Sequence, residues 1–164
     1  MTVKKKVALS ILAVVILLAV YFGYGIYEMA FVLIPNSYAA WITGDLIVEY
    51  MKTHSDRWPR SWDELRQAKE SLKRQGRPIY WKFEELPQKI KIDWSADPVA
   101  LAKAQSLSNE VPFQVVTKLD GSRVDARWGE DTEPNRKIYD YLKEKKGRSN
   151  DRQERVPANG VPQP

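Results

Sequence analysis

Val7-Ala8-Leu9-Ser10-Ile11-Leu12-Ala13-Val14-Val15-Ile16-Leu17-Leu18-Ala19-Val20-Tyr21-Phe22 holds one polar residue, Ser10, and Gly23 to Tyr27 carry the apolar run on to Glu28. About 20 apolar residues, each rising ~1.5 Å, cross a hydrocarbon core ~30 Å thick. Residues 7–27 meet that length. Tyr21, Tyr24 and Tyr27 gather towards one end, as interfacial aromatic side chains do. Met29 to Ile34 is a second apolar stretch, ended by Pro35. It either extends the helix, which then tilts, or lies at the interface. Glu28 belongs at headgroup level. The expected division is a basic stub at 1–6, a transmembrane anchor at 7–34, a domain at 36–146 and a disordered tail at 147–164.

Charge around the anchor gives its expected orientation. Lys4, Lys5 and Lys6 stand immediately before it, whereas the segment after Ile34 offers Asp45 and Glu49 and only Lys52 as a base. The positive-inside rule puts the N-terminus in the cytoplasm and the domain on the other side. A cleaved signal peptide competes with this reading. Its apolar core is roughly 7–15 residues long and is followed by a small-residue cleavage site, neither of which fits here. An uncleaved anchor is therefore expected.

The chain has 164 residues, 26 Lys and Arg against 21 Asp and Glu, and no cysteine. The missing cysteines exclude disulfides, thiol catalysis, Cys-ligated zinc and a lipid-modified Cys anchor. The formal charge is +5. Beyond the N-terminal lysines the excess is small and interspersed, unlike the concentrated patch of a nucleic-acid binder. The stretch between anchor and tail, about 110 residues, is enough for one domain with a modest core.

Inside that domain Tyr38, Ile42, Leu46 and Tyr50 recur every four residues, with Ala39, Ile47 and Met51 beside them. This spacing predicts an amphipathic helix over 36–54, with Asn36 or Ser37 as its cap. Gly44 costs it a little. His54-Ser55-Asp56-Arg57-Trp58-Pro59-Arg60 reads as a turn. Ser61-Trp62-Asp63-Glu64 then reads as a capping box for a second helix with Leu65, Ala68 and Leu72 inward, stopped by Gly76 and Pro78. Trp58 and Trp62 are expected to bury against the sheet.

Ile79 to Phe83 is a candidate short strand, and Ile90, Ile92 and Trp94 alternate with Lys91 and Asp93 as in a half-buried one. Asp97-Pro98 opens a short helix through Gln105. Pro112–Lys118 and Ser122–Trp128 flank Leu119-Asp120-Gly121, a hairpin signal. Pro134 opens a last helix with Ile138, Tyr141 and Leu142 inward. Lys143, Lys145 and Lys146 suit its C-terminal end. The fold class is α+β: amphipathic helices packed on a small antiparallel sheet.

The passage from the apolar helix through helix 36–54 to Asp56-Arg57-Trp58-Pro59-Arg60-Ser61-Trp62-Asp63-Glu64-Leu65 resembles type II secretion pseudopilins. There a hydrophobic helix leads into an amphipathic one, then a Gly-x-Tyr-Pro-Ser/Thr turn, a helix containing Glu-x-Leu and an antiparallel sheet. Arg57 to Leu65 is also similar to a phrase in single-pass bacterial membrane proteins. The resemblance covers about thirty residues and implies the domain fold alone; a bacterial inner-membrane, periplasm-facing location is what the anchor and its flanking charges lead one to expect. The prepilin peptidase site is missing: Gly23 and Glu28 have its spacing but follow the apolar run, and Tyr24 stands for Phe.

Candidate sites are few. His54, the sole histidine, stands near Asp56, which would suit a polarised imidazole; a helix-end residue interacting with the dipole is the simpler reading. Arg57, Trp58, Arg60 and Trp62 form an aromatic-basic cluster. It is either a cation–π binding platform, and so the candidate interaction surface, or core packing around a turn. Asp120, Asp125, Glu130, Asp131 and Glu133 are hard-oxygen groups of the kind calcium takes, without EF-hand spacing. Pseudopilin-like domains can bind calcium near their C-terminal strands. Solvated loop charge is the alternative for these five. No Walker loop, Gly-x-Ser-x-Gly elbow, His-Glu-x-x-His or dinucleotide fingerprint occurs.

The expectation is a non-enzymatic, membrane-anchored component of the envelope or of a secretion system, with the lipid bilayer and a protein as partners, no cofactor and no nucleic acid. An envelope enzyme or small-ligand domain around His54, Asp56 and Trp58 is the alternative. Alkaline phosphatase fused after Lys146 should be active and β-galactosidase at the same site inactive. The opposite pair of results would reverse the orientation.

Overall fold

The computed structural model describes residues 3–77, 79, 81–104, 110–124 and 132–154, with backbone alone at 3–9 and 148–154. The chain divides into two compact units, Met1–Tyr38 and Ala39–Pro164.

The first unit is helical. Helix α1 is Val3–Glu28, a π-helical turn follows at Met29–Leu33, and α2 is Ile34–Thr53, of which residues from Ala39 on belong to the second unit. The described side chains of α1 are exposed on every side, Leu17 at 68% and Ile26 at 69% among them. A helix apolar all round is stable when buried in protein or in lipid. None of this apolar stretch is buried by protein, and among the described residues only the helical stretch Ser10–Thr53 is long and apolar enough to cross a membrane.

The widened turn has a local cause. Pro35 has no N–H for the carbonyl of Phe31, and its ring crowds that carbonyl. In the turn before it Ile34 N–H bonds back to Met29, five residues away. Glu28 and Ile34 both keep right-handed helical angles, so the helix starts upstream of Asn36 and Ser37 and neither is its N-cap. Met29–Ile34 thus continues the helix.

The second unit is a mixed helical and strand domain. The remaining elements are α3 (Trp62–Arg74), a 3₁₀ helix (Phe83–Gln88), β1 (Ile90–Ile92), α4 (Pro98–Lys103), β2 (Val116–Lys118) and α5 (Pro134–Glu154). Its core joins Leu46, Ile47 and Met51 of α2, Leu65, Ala68 and Leu72 of α3, Phe83, Leu86, Ile90, Val116 and Ile138. On α2 the expected Ala39, Leu46, Ile47, Tyr50 and Met51 are buried, but Tyr38 is exposed and Ile42 half-buried, and Ala40, Thr43 and Gly44 are inside in their place. Small side chains allow close approach there. Gly44 lies so near α5 that a Cβ built on it falls 2.9 Å from Pro134 Cα. The buried Thr43 hydroxyl donates to Ala39 O within its own helix.

The sheet has two antiparallel strands, with Ile90 opposite Lys118 and Ile92 opposite Val116. The strand expected through Trp94 ends at Ile92, because Asp93 Oδ1 accepts from the amide and hydroxyl of Ser95 and turns the chain. No strand forms among the described residues of 79–83; Phe83 instead begins the 3₁₀ helix, and Pro78 and Tyr80 lie outside the described residues. The turn at 119–121 is present: Lys118 N–H donates to Ser122 O, Gly121 N–H to Lys118 O, and Gly121 adopts φ 82°. Residues 122–124 are nevertheless not a strand. Asn135 explains why. Its Oδ1 accepts from Val115 and Val116 N–H, and its Nδ2 donates to Val116 O and to Glu133 Oε1. The buried amide thus takes the β2 edge that a returning strand would need. The remainder of that expected strand, from Asp125, lies outside the described residues.

Asp97 caps α4 through Val99 N–H, as expected. Pro134 begins α5, and the helix passes Gly147 to end at Glu154. Gly inside a helix costs ~1 kcal/mol relative to Ala and does not by itself end one.

Gly44→Ala should gain up to ~1 kcal/mol of helix propensity and lose more to the clash with Pro134, for a net loss of about 1–2 kcal/mol. Urea unfolding of the full chain in detergent micelles measures it. A variant as stable as the parent would contradict the close α2–α5 approach.

Candidate functional site

The segment that leaves α2 reverses abruptly. Ser55 and Asp56 both sit in the left-handed region, at φ 56° and 62°. Asp tolerates that region better than most residues, but two such residues in succession must be held by their surroundings. Backbone bonds do part of this: Asp56 N–H reaches Met51 O at 2.8 Å. The carboxylate does the rest. The Tyr141 hydroxyl donates to Asp56 Oδ1, and Lys145 Nζ lies 3.0 Å from Oδ2. Burial pushes the Asp56 carboxyl up, but these two donors on α5 outweigh it and hold it below the ordinary range. The Tyr141 hydroxyl is pushed well up, by burial first and then by the Asp56 carboxylate.

His54 does not meet Asp56. Its ring stacks on Tyr50 at 4.0 Å, and Nδ1 is within 3.0 Å of Tyr50 O and 2.9 Å of Thr53 Oγ1. Of the two readings of His54 the simpler one, a helix-end residue, describes these contacts, and the polarised imidazole does not form because the left-handed pair carries Asp56 away to α5.

Downstream, Pro59 and the extended Ser61 (φ −161°) lead into α3. Glu64 N–H donates to Ser61 Oγ at 3.3 Å, and Glu64 Oε2 accepts from Arg60 N–H at 2.8 Å. The capping box thus forms with its return arm one residue earlier than expected. The Arg60 amide lowers the Glu64 carboxyl, over the opposing effect of burial. The nearby Tyr50 hydroxyl is itself pushed up by burial and then by the Glu64 carboxylate.

The aromatic-basic cluster separates into two layers. Trp58 is 7% exposed, and its Nε1 donates to Asp93 O at 2.8 Å, tying the turn to the residue after β1. Trp62 is half-buried and meets Phe83 and Trp94 edge-on at 6.0 and 5.6 Å. Arg57 and Arg60 are exposed. Arg57 donates through Nε to His54 O at 3.4 Å. Neither guanidinium has an ion pair among the described residues.

Beside this turn lies an open groove of about 700 Å³. The turn segment contributes Asp56, Arg57, Trp58 and Arg60, and the facing loop contributes Trp94, Ala96, Pro98 and Val99. Trp94 and that loop carried no signal in the sequence as a site; the long-range Trp58–Asp93 bond and the Trp62–Trp94 contact bring them to the turn.

Of the five carboxylates considered for calcium, the two among the described residues are engaged separately. Glu133 is buried, with Oε1 accepting from Asn135 and Oε2 from Arg136 N–H, so it caps α5. Asp120 accepts from Ser122 in a turn. Asp125, Glu130 and Asp131 lie outside the described residues. Among the described residues no three His, Asp or Glu side chains gather as a metal site. A polar cluster that the sequence did not signal is Glu49, buried in α2, whose Oε1 accepts from Ser71 Oγ at 2.6 Å and Gln75 Nε2 at 2.7 Å. It ties α2 to α3.

No family model, no curated protein and no solved structure matches this chain.

Trp58→Ala should cost about 3–5 kcal/mol, as for other buried aromatic truncations. Trp62→Ala should cost less, about 1–3 kcal/mol, its ring being half-exposed. Arg57→Gln and Arg60→Gln should stay within ~0.5 kcal/mol of the parent. Unfolding of the full chain in micelles orders the four. A Trp58→Ala variant that melts with the parent would show that the ring is not core.

Proposed function

We propose that the chain is a membrane-anchored extracytoplasmic protein that acts by binding another protein, as an interaction or assembly component of the bacterial envelope or of a secretion system. The observation that carries this is α1, a long apolar helix whose described side chains have no protein cover. Lipid is the environment that suits such a surface. With Lys4, Lys5 and Lys6 on the cytoplasmic side, the α+β domain stands in the periplasm. The pseudopilin-like order of segments up to Leu65 supports a role in assembly.

The groove favours binding over catalysis. Its carboxylates Asp56, Glu64 and Asp97 already accept from the protein's own donors. The one histidine is engaged at the end of α2. An enzyme or small-ligand domain built around His54, Asp56 and Trp58 is the second reading, and the groove beside Asp56 and Trp58 is the observation in its favour.

Crosslinking in native membranes, followed by purification of the full chain, should recover a discrete protein partner. Repeated recovery of the chain without any crosslinked protein would contradict the proposal.

A further inference from the structure

The oxygen-bearing side chains of the apolar helix are not spread around it. Between Val7 and Leu33 they are Ser10, Tyr21, Tyr24, Tyr27 and Glu28. Helix α1 is α-helical from Val3 to Glu28, so successive residues turn by ~100°. Ser10, Tyr21, Tyr24 and Glu28 then share an arc of ~60° with Leu17. Their spacing is that of a heptad seam: Ser10, Leu17 and Tyr24 form one row and Val14, Tyr21 and Glu28 the other. The seam stops where the helical pitch changes, since the π-helical turn begins at Met29. Tyr27 lies off the seam and packs against Phe31 at 5.1 Å.

The polar ends on this seam lack partners in their own chain. Tyr24 and Glu28 make no hydrogen bond or ion pair among the described residues, and Tyr21 makes only a ring contact with Phe22. Tyr21 and Tyr24 are 73% and 66% exposed. With Tyr27 at the membrane interface, Tyr21 sits about 9 Å deeper, where lipid offers its hydroxyl nothing.

We infer that α1 pairs through this seam with α1 of a second copy, as a parallel, left-handed helix pair. The inference rests on the proposal that α1 spans the membrane. A heptad seam is the pattern on which two helices close, in water and in lipid alike. The occupant is a second copy because the seam holds both halves of the bonds it needs. An ionised Glu28 only accepts, while Tyr21 and Tyr24 carry hydroxyl donors. All copies enter the bilayer in one orientation and to one depth. Each Tyr24 hydroxyl therefore lies within about one helical turn of the level of the other chain's Glu28. A helix of another sequence would have to match those depths independently. The two Glu28 carboxylates lie at headgroup level, where water and salt screen their repulsion. The phenols below them are in lipid, where no water competes for their hydrogen bonds.

The chain has no cysteine, so single cysteines report pairing without background. Leu17→Cys places a thiol on the seam. Ala19→Cys, ~200° further round, places one on the opposite face at nearly the same depth. In native membranes treated with a membrane-permeant oxidant, the full chain with Leu17→Cys should run as a disulfide dimer of itself, and the chain with Ala19→Cys as a monomer. Adding Tyr21→Phe and Tyr24→Phe, which keep the rings and remove the donors, should lower the Leu17→Cys dimer at least about threefold. Equal dimer from both positions would overturn the inference, as would a Leu17→Cys dimer that the Phe substitutions leave unchanged or a Leu17→Cys cross-link to a different protein. Alkaline extraction of the same membranes separates the two proposals. No dimer in a chain that stays in the membrane overturns the pairing and leaves the anchor standing, whereas release of the chain by alkali would remove both.

Discussion

Asp56 sits in the left-handed region at the end of α2 with its carboxylate between Tyr141 and Lys145, and the arrangement of the domain depends on that constraint. An unfavourable backbone conformation persists only when something holds it. Here the hold comes from α5, the last element among the described residues, acting on a turn 85 residues earlier. Once the turn is fixed, Trp58 is aimed at Asp93, Glu64 can reach the Arg60 amide, and α3 starts where its inward face meets α2. The groove follows from the same reversal, because its two sides are the turn and the loop that Trp58 tethers.

Polar groups inside the domain work as connectors between elements that apolar packing would leave free to slide. Glu49 joins α2 to Ser71 and Gln75 on α3. Asp45 joins α2 to α5 through Lys137 at 2.7 Å. Asn135 joins α5 to the edge of β2 with every amide hydrogen-bonding position used. Burying such groups costs free energy unless they are satisfied, and when satisfied they define register and position. A two-stranded sheet is marginal by itself. Asn135 both lengthens its hydrogen-bonded edge and keeps that edge from pairing further.

The parts legible in the sequence were those governed by local rules. Apolar length revealed α1, inward spacing revealed Leu65, Ala68 and Leu72 of α3, and Ser61, Asp97 and Pro134 marked helix starts. Each is decided within a turn or two of chain. What escaped was decided at a distance. The Asp-Gly turn forms as signalled, but a side chain from α5 occupies the edge of β2 beyond it, and residues 122–124 are not a strand. Pro35 reads as a stop, yet a widened turn upstream absorbs it and the helix goes on. The aromatic-basic cluster offered two readings because sequence spacing does not say which ring finds a buried acceptor. Trp58 finds Asp93 and goes inside, which leaves the arginines as the accessible part. His54 and Asp56 lie two positions apart and still do not meet, since the left-handed pair sends their side chains to different helices.

The central claim is that the Asp56 carboxylate and the Tyr141 hydroxyl act together to hold the turn. A double-mutant cycle with Asp56→Asn and Tyr141→Phe tests it most directly. Asn retains the tolerance of left-handed angles, and Phe retains the ring. Unfolding of the four proteins in micelles should give a coupling energy of about 1–3 kcal/mol. Two losses that add to within ~0.3–0.5 kcal/mol would mean the pair is not coupled, and the account of the turn would fail.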